Sequence, residues 1–380
     1  MQAVTRRAFI GTCAVAGWAC AGCGQKPRSP NRGDSPIWKP SRPLRKVSAA
    51  NIRSDFEPGY LKLHRTGELR RRAEELWKRM KPCKLCPRTC GIDRLGGQRG
   101  FCDAPDYLVI ASYHPHFGEE DPLVGRGGSG TIFFCHCSLR CVFCINYDIS
   151  LEARGTQVGI EDLAEMMLDL QEIGCHNINV VTPTHYSPHI LFALDLAAEH
   201  GLRLPLVYNT CGWENLEILK KLDGVVDIYL PDFKYASGQM AVKYSTCAPP
   251  GFTETRPEVA ETFTSTETYP EVTKMAILEM NRQVGVARPA DDGLMYRGLM
   301  IRHLVMPNGV SGAPDVLRWI AENLPKDTYV NIMSQYRPMY KAFEYPEIAR
   351  PITAAEYRDA VEAAQQAGLT NFHIQGLAFL

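Results

Sequence analysis

The sequence has no excess of charge of either sign. Its 42 lysine and arginine residues are balanced by 42 aspartate and glutamate residues. Such a chain has no overall electric field that steers it toward nucleic acid or an anionic membrane. We therefore expect small molecules or proteins as its partners and exclude nucleic acid. Its 380 residues are enough for one barrel-sized domain or for two medium ones.

The apolar stretch near the beginning of the sequence is too short to span a membrane. It follows residues 5–10, which read Thr-Arg-Arg-Ala-Phe-Ile, the twin-arginine form, and this predicts a Tat signal over residues 1–24. The run Ala-Gly-Cys that ends at Cys23 resembles a lipoprotein cleavage box, so Cys23 is a candidate lipid anchor. Residues 25–56 are rich in proline, arginine and serine, and they predict a flexible linker.

The fourteen cysteines do not lie in the kind of short secreted chain that uses them for disulfides. Cys137, Cys141 and Cys144 share one loop at a three-then-two spacing, directly after an apolar run typical of a strand. This loop lacks a fourth cysteine, so a [4Fe-4S] cluster bound here keeps one iron open. The alternatives are a zinc site, for which three thiolates alone are unusual, and unconnected buried thiols. We expect no ligand role for the following thiols: Cys135, Cys175, Cys211 and Cys247.

A second cysteine group precedes the first. It has the pattern C-x2-C-x3-C-x11-C and consists of Cys83, Cys86, Cys90 and Cys102. Four thiolates satisfy either a tetrahedral zinc ion or an all-cysteine iron-sulfur cluster, and the spacing leaves both open. The corresponding functions are a structural staple, which we favour, and an auxiliary electron-transfer cluster. With an amphipathic helical stretch over residues 61–80, this group predicts a metal-binding extension over residues 57–106.

From residue 107 onward, strand and helix patterns alternate, which predicts a parallel sheet. The predicted strands cover residues 108–112, 131–134, 177–181, 205–208, 225–230, 298–306, 328–333 and 371–375. The predicted helices cover residues 160–173, 188–200, 214–221, 270–284, 313–324 and 353–367. This α/β alternation predicts a partial or full β/α barrel of TIM-like type over residues 107–380. A flavodoxin-like open sheet is the alternative.

Polar side chains follow most of these strands, at the sheet edge where such folds place their chemistry. The candidates for cofactor binding are Thr182, Thr184, His185, Asn209, Asp232, Lys234 and, within a strand, Arg302. A strand-end threonine more often closes a turn, and a lone histidine is more often a packed residue. A parallel sheet nevertheless brings the carboxyl ends of its strands to one edge, so we expect these side chains to lie close together.

The C-x3-C-x2-C loop, with the aromatic Phe143 before its last cysteine, resembles the signature of radical SAM enzymes. The resemblance makes Phe143 a further candidate for cofactor binding. The resemblance implies that the open iron chelates S-adenosylmethionine and that a cluster electron cleaves it to a 5′-deoxyadenosyl radical. It also implies a low-potential electron donor, such as flavodoxin or ferredoxin. Such chemistry belongs in the cytoplasm, whereas the leader indicates export or membrane anchoring, so the sequence leaves the localisation open.

Within that family, the chain from about Cys83 to Gln375 is similar to homologues of the pyruvate formate-lyase activating enzyme, which activate glycyl radical enzymes. The shared elements are Cys-x-Leu-Cys-Pro-Arg-x-Cys, Gly-Ser-Gly-Thr-Ile-Phe-Phe, Tyr-Asn-Thr and Asp-Ile-Tyr-Leu-Pro-Asp-Phe-Lys-Tyr. The resemblance implies that Asp232, Lys234 and Arg302 contact the methionine part of the cofactor, which needs an acceptor for its ammonium and a cation for its carboxylate.

Two departures from that group are visible. The family's Gly-Gly-Glu motif receives the cofactor's amino group, but Thr182 to Thr184 occupy its place here and supply no glutamate. Ser138 and Ile145 replace the usual asparagine and glutamine beside the cluster ligands.

We expect a radical SAM enzyme that takes hydrogen from a glycine in a partner polypeptide, with another peptide or a small molecule as the alternative substrate. The alternative from another functional class is an exported iron-sulfur or zinc protein with an electron-transfer or structural role.

Overall fold

The computed structural model describes residues 40–48, 53, 55–249 and 265–374. These residues lie in a single compact unit. Among them, no helix combines the length and the apolar character that crossing a membrane requires. The predicted signal, the candidate anchor Cys23, most of the predicted linker and Gln375 lie outside the described residues.

The described part of the chain contains one mixed sheet of nine strands. They are β1 (Leu108–His116), β2 (Ser129–Phe134), β3 (Thr156–Val158), β4 (Ile178–Val181), β5 (Leu206–Thr210), β6 (Ile228–Pro231), β7 (Gly298–Leu304), β8 (Tyr329–Met333) and β9 (Phe372–Ile374). Their spatial order is β3-β1-β2-β4-β5-β6-β7-β8-β9. Strand β1 pairs antiparallel with β2 and β3, and every other pairing is parallel.

The parallel strands follow one another in chain order, without the reversal that defines a flavodoxin-like sheet. The predicted α/β alternation with a parallel sheet is therefore confirmed, and the flavodoxin-like alternative is wrong. Strands β5, β6 and β8 are buried along their whole length, which is why their sequences are nearly continuous in apolar residues. In the described residues, β3 and β9 are the edges of the sheet.

The longer described helices alternate with these strands. They are α1 (Gly59–Arg65), α2 (Glu68–Lys78), α3 (Ile160–Ile173), α4 (Ser187–Glu199), α5 (Leu216–Lys221), α6 (Gly238–Tyr244), α7 (Tyr269–Val284), α8 (Ala313–Asn323) and α9 (Ala354–Gln366), with single turns at Asp121–Val124 and Tyr147–Ser150. The predicted bounds of α3 are confirmed, because Gly174 follows it in the left-handed conformation and ends it. The single helical stretch predicted over residues 61–80 is wrong, because left-handed Gly67 separates α1 from α2.

The segment that carries the second cysteine group has little regular structure, and local hydrogen bonds shape it. The amide of Cys83 donates to the carbonyl of Ile92 at 2.8 Å, and the amide of Gly91 donates to the carbonyl of Cys83 at 3.0 Å. The buried guanidinium of Arg94 donates to the carbonyl of His185 at 2.7 Å. The extension thus packs directly against a loop at the carboxyl edge of the sheet.

Candidate functional site

Four of the polar side chains that the sequence predicts for the site meet at the carboxyl edge of the sheet. Asp232 follows β6 and accepts a hydrogen bond from Lys234 Nζ at 2.6 Å and from Arg302 Nε at 2.8 Å. Arg302 Nη2 also donates to the side-chain oxygen of Asn209 at 2.6 Å. These contacts join β5, β6 and β7, so the structure brings Asn209, Asp232, Lys234 and Arg302 together.

This group is mostly buried, with 14% of the Asp232 side chain and 16% of the Lys234 side chain exposed. Burial opposes the charge of Asp232, but the adjacent Arg302 and Lys234 cations outweigh it and lower the pKa of the carboxyl. Burial likewise opposes the charge of Lys234, but Asp232 raises the pKa of its ammonium above the usual range. One carboxylate between two cations is complementary to a zwitterionic aminoacyl group.

Glu119 belongs to the same network and was missed by the sequence analysis. Its carboxyl accepts from Asn209 Nδ2 at 3.2 Å and from Arg302 Nη1 at 3.3 Å. Burial raises the pKa of Glu119 to about 7, although the charge of Arg302 opposes the shift. The residue lies between β1 and β2, outside the strand ends on which the prediction relied. Its only sequence signal is the Glu119-Glu120 pair in that connection.

Two threonine hydroxyls near the ends of β4 and β5 hydrogen-bond to one buried carboxyl. Thr184 Oγ1 donates to Glu214 Oε1 at 2.6 Å, and Thr210 Oγ1 donates to the same oxygen. Glu214 is 1% exposed, and burial raises its pKa to about 7. Thr182 sits in the left-handed region with φ 59°, and its amide donates to the carbonyl of Asn209 at 2.9 Å. The Thr184 hydroxyl is therefore committed to Glu214, which the sequence analysis did not identify.

Glu214→Gln is expected to reduce the pH dependence of stability. In the unfolded chain this carboxyl ionises near 4.5, whereas in the folded protein it stays neutral up to about 7. The free energy of unfolding of the wild type therefore falls as pH rises through that window, by up to about 1.4 kcal/mol per pH unit, and levels off above it. Chemical denaturation at pH 6 and pH 8 measures the difference. Equal pH slopes for the two proteins contradict the assignment.

The three-cysteine loop lies beside the charged network. Left-handed φ angles of 70° at His136 and 56° at Arg140 bend the loop. Each sulfur has a hydrogen-bonding neighbour, and these contacts are Leu139 N to Cys137 Sγ at 3.4 Å, Cys141 Sγ to Ser245 Oγ at 3.0 Å, and Cys144 Sγ to Ser150 Oγ at 3.1 Å. Burial raises the pKa of Cys141, the charges of Cys137 and Cys144 add to the rise, and the ammonium of Lys234 opposes it. The thiols and Lys234 thus share one local electrostatic environment.

This donor set fits an iron-sulfur cluster, because the thiols come from one loop and hydrogen-bond donors lie next to their sulfurs. Over the described ranges, no three His, Cys, Asp or Glu side chains are placed to hold a single metal ion. A cubane cluster is larger than one ion, and its ligands are spaced farther apart accordingly.

Phe143 and His185 are both packed side chains. The ring of Phe143 is 4% exposed and lies with its centroid 5.8 Å from that of Tyr336 and 6.3 Å from that of Tyr235. The ring of His185 is 1% exposed and its Nε2 lies 2.8 Å from the carbonyl oxygen of Cys135. Phe143 thus packs against Tyr235 and Tyr336, and its predicted contact with the cofactor stays a prediction.

Cys211 supplies an additional thiol next to the loop. Its thiol donates a hydrogen bond to the sulfur of Cys137, which lowers the pKa of Cys137 to about 6 against the opposing effect of burial. The residue follows β5 directly, so the sheet carries it to the edge where the loop lies. Cys211 is therefore a neighbour of a predicted ligand.

Cys211→Ala is expected to leave the iron content of the first site unchanged. Removing a hydrogen bond from a ligand sulfur disfavours the more anionic reduced cluster, so the reduction potential is expected to become more negative. Iron analysis and a redox titration followed by electron paramagnetic resonance (EPR) measure the two effects. Loss of the iron in this variant would instead make Cys211 a fourth ligand and close the open position.

The second cysteine group is also gathered in one place. The thiol of Cys90 donates to Cys83 and lowers the pKa of Cys83 to about 6. Burial raises the pKa of Cys86 and Cys102, and each of these thiols lies within electrostatic range of Cys83. Gly100 leaves room for this group, because any larger residue at this position would place its Cβ 2.8 Å from the sulfur of Cys90.

Comparisons with known proteins give one strong match. No protein-family model matches the chain. The chain is 31% identical over 298 residues to the "uncharacterized protein MJ0674" of Methanocaldococcus jannaschii, and the match covers 76% of each protein. Among solved structures, a radical SAM methyltransferase from Sphaerobacter thermophilus is 14% identical with a TM-score of 0.38. That match covers 64% of this chain and 65% of the methyltransferase, just under two thirds of its length.

Proposed function

We propose that this chain, which belongs to the same family as the uncharacterized Methanocaldococcus jannaschii protein, is a radical SAM enzyme. Cys137, Cys141 and Cys144 would hold a [4Fe-4S] cluster with one open iron. When bound, this cluster supplies the electron that cleaves S-adenosylmethionine to methionine and a 5′-deoxyadenosyl radical. The observation that carries the proposal is a pair of contacts that joins the cysteine loop to the charged network. Cys141 Sγ lies 3.0 Å from Ser245 Oγ, which lies 2.8 Å from the hydroxyl of Tyr235, the residue after Lys234.

The charged network has the chemistry to bind the methionine part of the cofactor. Asp232 accepts hydrogen bonds and suits the ammonium group, whereas Lys234 and Arg302 suit the carboxylate. Glu119 and Asn209 contact Arg302 on its other side and fix the orientation of its guanidinium. These positions are preorganised because Asn209 and Arg302 lie on strands β5 and β7, and because Asp232, directly after β6, forms a bridge with Arg302.

A partial β/α barrel of radical SAM type completes the proposal. It is supported by the chain-order succession of parallel strands from β4 to β9 and by the position of the cysteine loop after β2. In such a fold, the carboxyl edge of the strands carries the reaction.

The experiment is anaerobic reconstitution with iron and sulfide, followed by dithionite and S-adenosylmethionine. We expect 5′-deoxyadenosine to form at a rate that depends on the reductant. If a protein with an intact cluster never forms it, the enzyme proposal fails. The exported iron-sulfur or zinc protein with an electron-transfer or structural role then takes its place.

We further propose a glycine in a partner polypeptide as the hydrogen donor. The sequence resemblance supports this, and so do exposed apolar side chains near the loop, where Ile145 is 63% and Phe343 is 64% exposed. The amide of Lys341 donates to the carbonyl of Val142 at 3.0 Å, which joins the segment of Phe343 to the loop of Ile145. Exposed apolar patches of this kind often mark protein contacts.

Deuterium transfer tests this substrate class. Cells grown on deuterated glycine are lysed anaerobically, and the lysate is separated by size. We expect the protein fraction, and not the small-molecule filtrate, to pass deuterium to 5′-deoxyadenosine. Deuterium transfer from the filtrate alone assigns the enzyme to a small-molecule substrate. Deuterium transfer from protein that is labelled only at residues other than glycine assigns it to another peptide modification.

A further inference from the structure

Arg88 connects the two cysteine groups. It lies between Cys86 and Cys90 in the sequence, and its Nε donates to the carbonyl of Ser138 at 2.6 Å. Ser138 follows Cys137 in the first cysteine loop. The two groups are therefore separated by about the length of one arginine side chain.

The surroundings of Arg88 make this contact rigid and dry. The side chain is 3% exposed, and its guanidinium carbon lies 3.5 Å from the ring centroid of Phe101 and 5.0 Å from that of Trp213. Phe101 directly precedes Cys102, and Trp213 lies two residues after Cys211. Aromatic rings from both cysteine neighbourhoods thus enclose one cation.

A second buried cation lies on the other side of the upstream group. Arg94 is 1% exposed and donates to the carbonyls of His185 and Pro105, and its Nε has no hydrogen-bond partner. Its amide donates to the carbonyl of Met80 at 3.1 Å, and Met80 forms a bridge with Cys83, so Arg94 lies next to the cysteine group. In the described ranges, no carboxylate forms an ion pair with Arg94, although a buried cation requires a compensating anion. An iron-sulfur cluster with four thiolate ligands carries a net negative charge and would supply it.

The upstream group also reaches the protein surface. Cys90 is partly exposed, and its neighbours Thr89 and Gly91 are exposed, as is Lys84. Cys86 and Cys102 are buried on the side of Arg88 and Phe101. The group therefore extends from solvent to the loop of the first cluster.

We propose that Cys83, Cys86, Cys90 and Cys102 hold a second iron-sulfur cluster that passes electrons to the first one across the Arg88 contact. This inference rests on the proposed function for the role of the first cluster. One electron enters from a low-potential one-electron donor, such as reduced flavodoxin or ferredoxin, which leaves oxidised. The same electron then moves to the first cluster, with no atom or proton transferred. The position of the group between solvent and the first loop favours this role over the structural staple expected from sequence.

Metal analysis of the reconstituted full-length protein gives the first test and needs no variant. We expect iron and sulfide sufficient for two clusters per chain and no stoichiometric zinc. After reduction, EPR is expected to show broadening from two interacting spins. Stoichiometric zinc, iron for one cluster only, or two clusters without magnetic interaction each overturn the proposal.

The double variant Cys86→Ala/Cys90→Ala identifies the upstream site. It is expected to lose half of the iron and the magnetic broadening, and its first cluster is expected to accept electrons from reduced flavodoxin more slowly than in the wild type. Cys175→Ala, which replaces a buried cysteine outside both groups, serves as the matched control and is expected to keep both clusters. Unchanged reduction kinetics in the double variant contradict the relay. S-adenosylmethionine is then added to the variant and the spectrum of its remaining cluster is recorded. An unchanged spectrum contradicts the proposed function, but it does not contradict the assignment of the second cluster.

Discussion

Replacing Cys141 by alanine is expected to abolish formation of 5′-deoxyadenosine and to leave the upstream metal site loaded. Cys141 is the central thiol of its loop, is buried, and lies close to both Lys234 and Ser245. Two remaining thiolates from one loop are too few ligands for a stable cluster. Iron content, visible absorption and product formation after anaerobic reconstitution measure the loss.

Cys135→Ala is the matched control for this prediction. Cys135 is a buried cysteine just before the same loop, and its sulfur lies beside Gly155. The control is expected to retain the first cluster and its activity. Loss of iron from both sites in Cys141→Ala, with the control intact, would mean that the cysteines are divided between the sites in a different way.

Asp232→Ala is expected to lower the free energy of unfolding by about 3–5 kcal/mol, because it leaves two buried cations without their shared carboxylate. The side chains of Asp232, Lys234 and Arg302 are all at most 16% exposed, so solvent screens them little. The same change is expected to abolish binding of S-adenosylmethionine to the reconstituted protein. Chemical denaturation and EPR changes on adding the cofactor measure the two effects.

Asp223→Ala provides the comparison for this second prediction. Asp223 pairs with Arg282, and their side chains are 41% and 56% exposed. Surface pairs of this kind contribute about 0–1 kcal/mol. Asp232→Asn, which preserves the size of the side chain, separates charge from packing and is expected to lose cofactor binding as well. Equal stability losses for Asp232→Ala and Asp223→Ala contradict the buried network.

Local patterns were sufficient to predict much of the fold. The apolar spacing of α3 and the glycine that follows it define the helix bounds, and the alternation of strands and helices predicts the parallel sheet. Because such a sheet aligns its carboxyl ends, the proximity of Asp232 and Arg302 also follows from the sequence. The isolated bridge between these two residues places them on neighbouring strand positions.

The remaining site residues depend on contacts between distant parts of the chain. Glu119 enters from the connection of an antiparallel pair, to which the strand-end rule does not apply. Glu214 meets Thr184 across a separation of 30 residues, and Arg88 meets Ser138 across 50. No periodicity encodes these contacts, since they result from how the loops fold over the sheet edge.

The most direct measurement of the central claim is electron-nuclear double resonance on the reduced protein with isotopically labelled S-adenosylmethionine. If Cys137, Cys141 and Cys144 leave one iron open, nitrogen-15 in the amino group and oxygen-17 in the carboxylate of the cofactor are both expected to couple to the first cluster. Absence of both couplings in a protein whose cluster is intact would contradict the account.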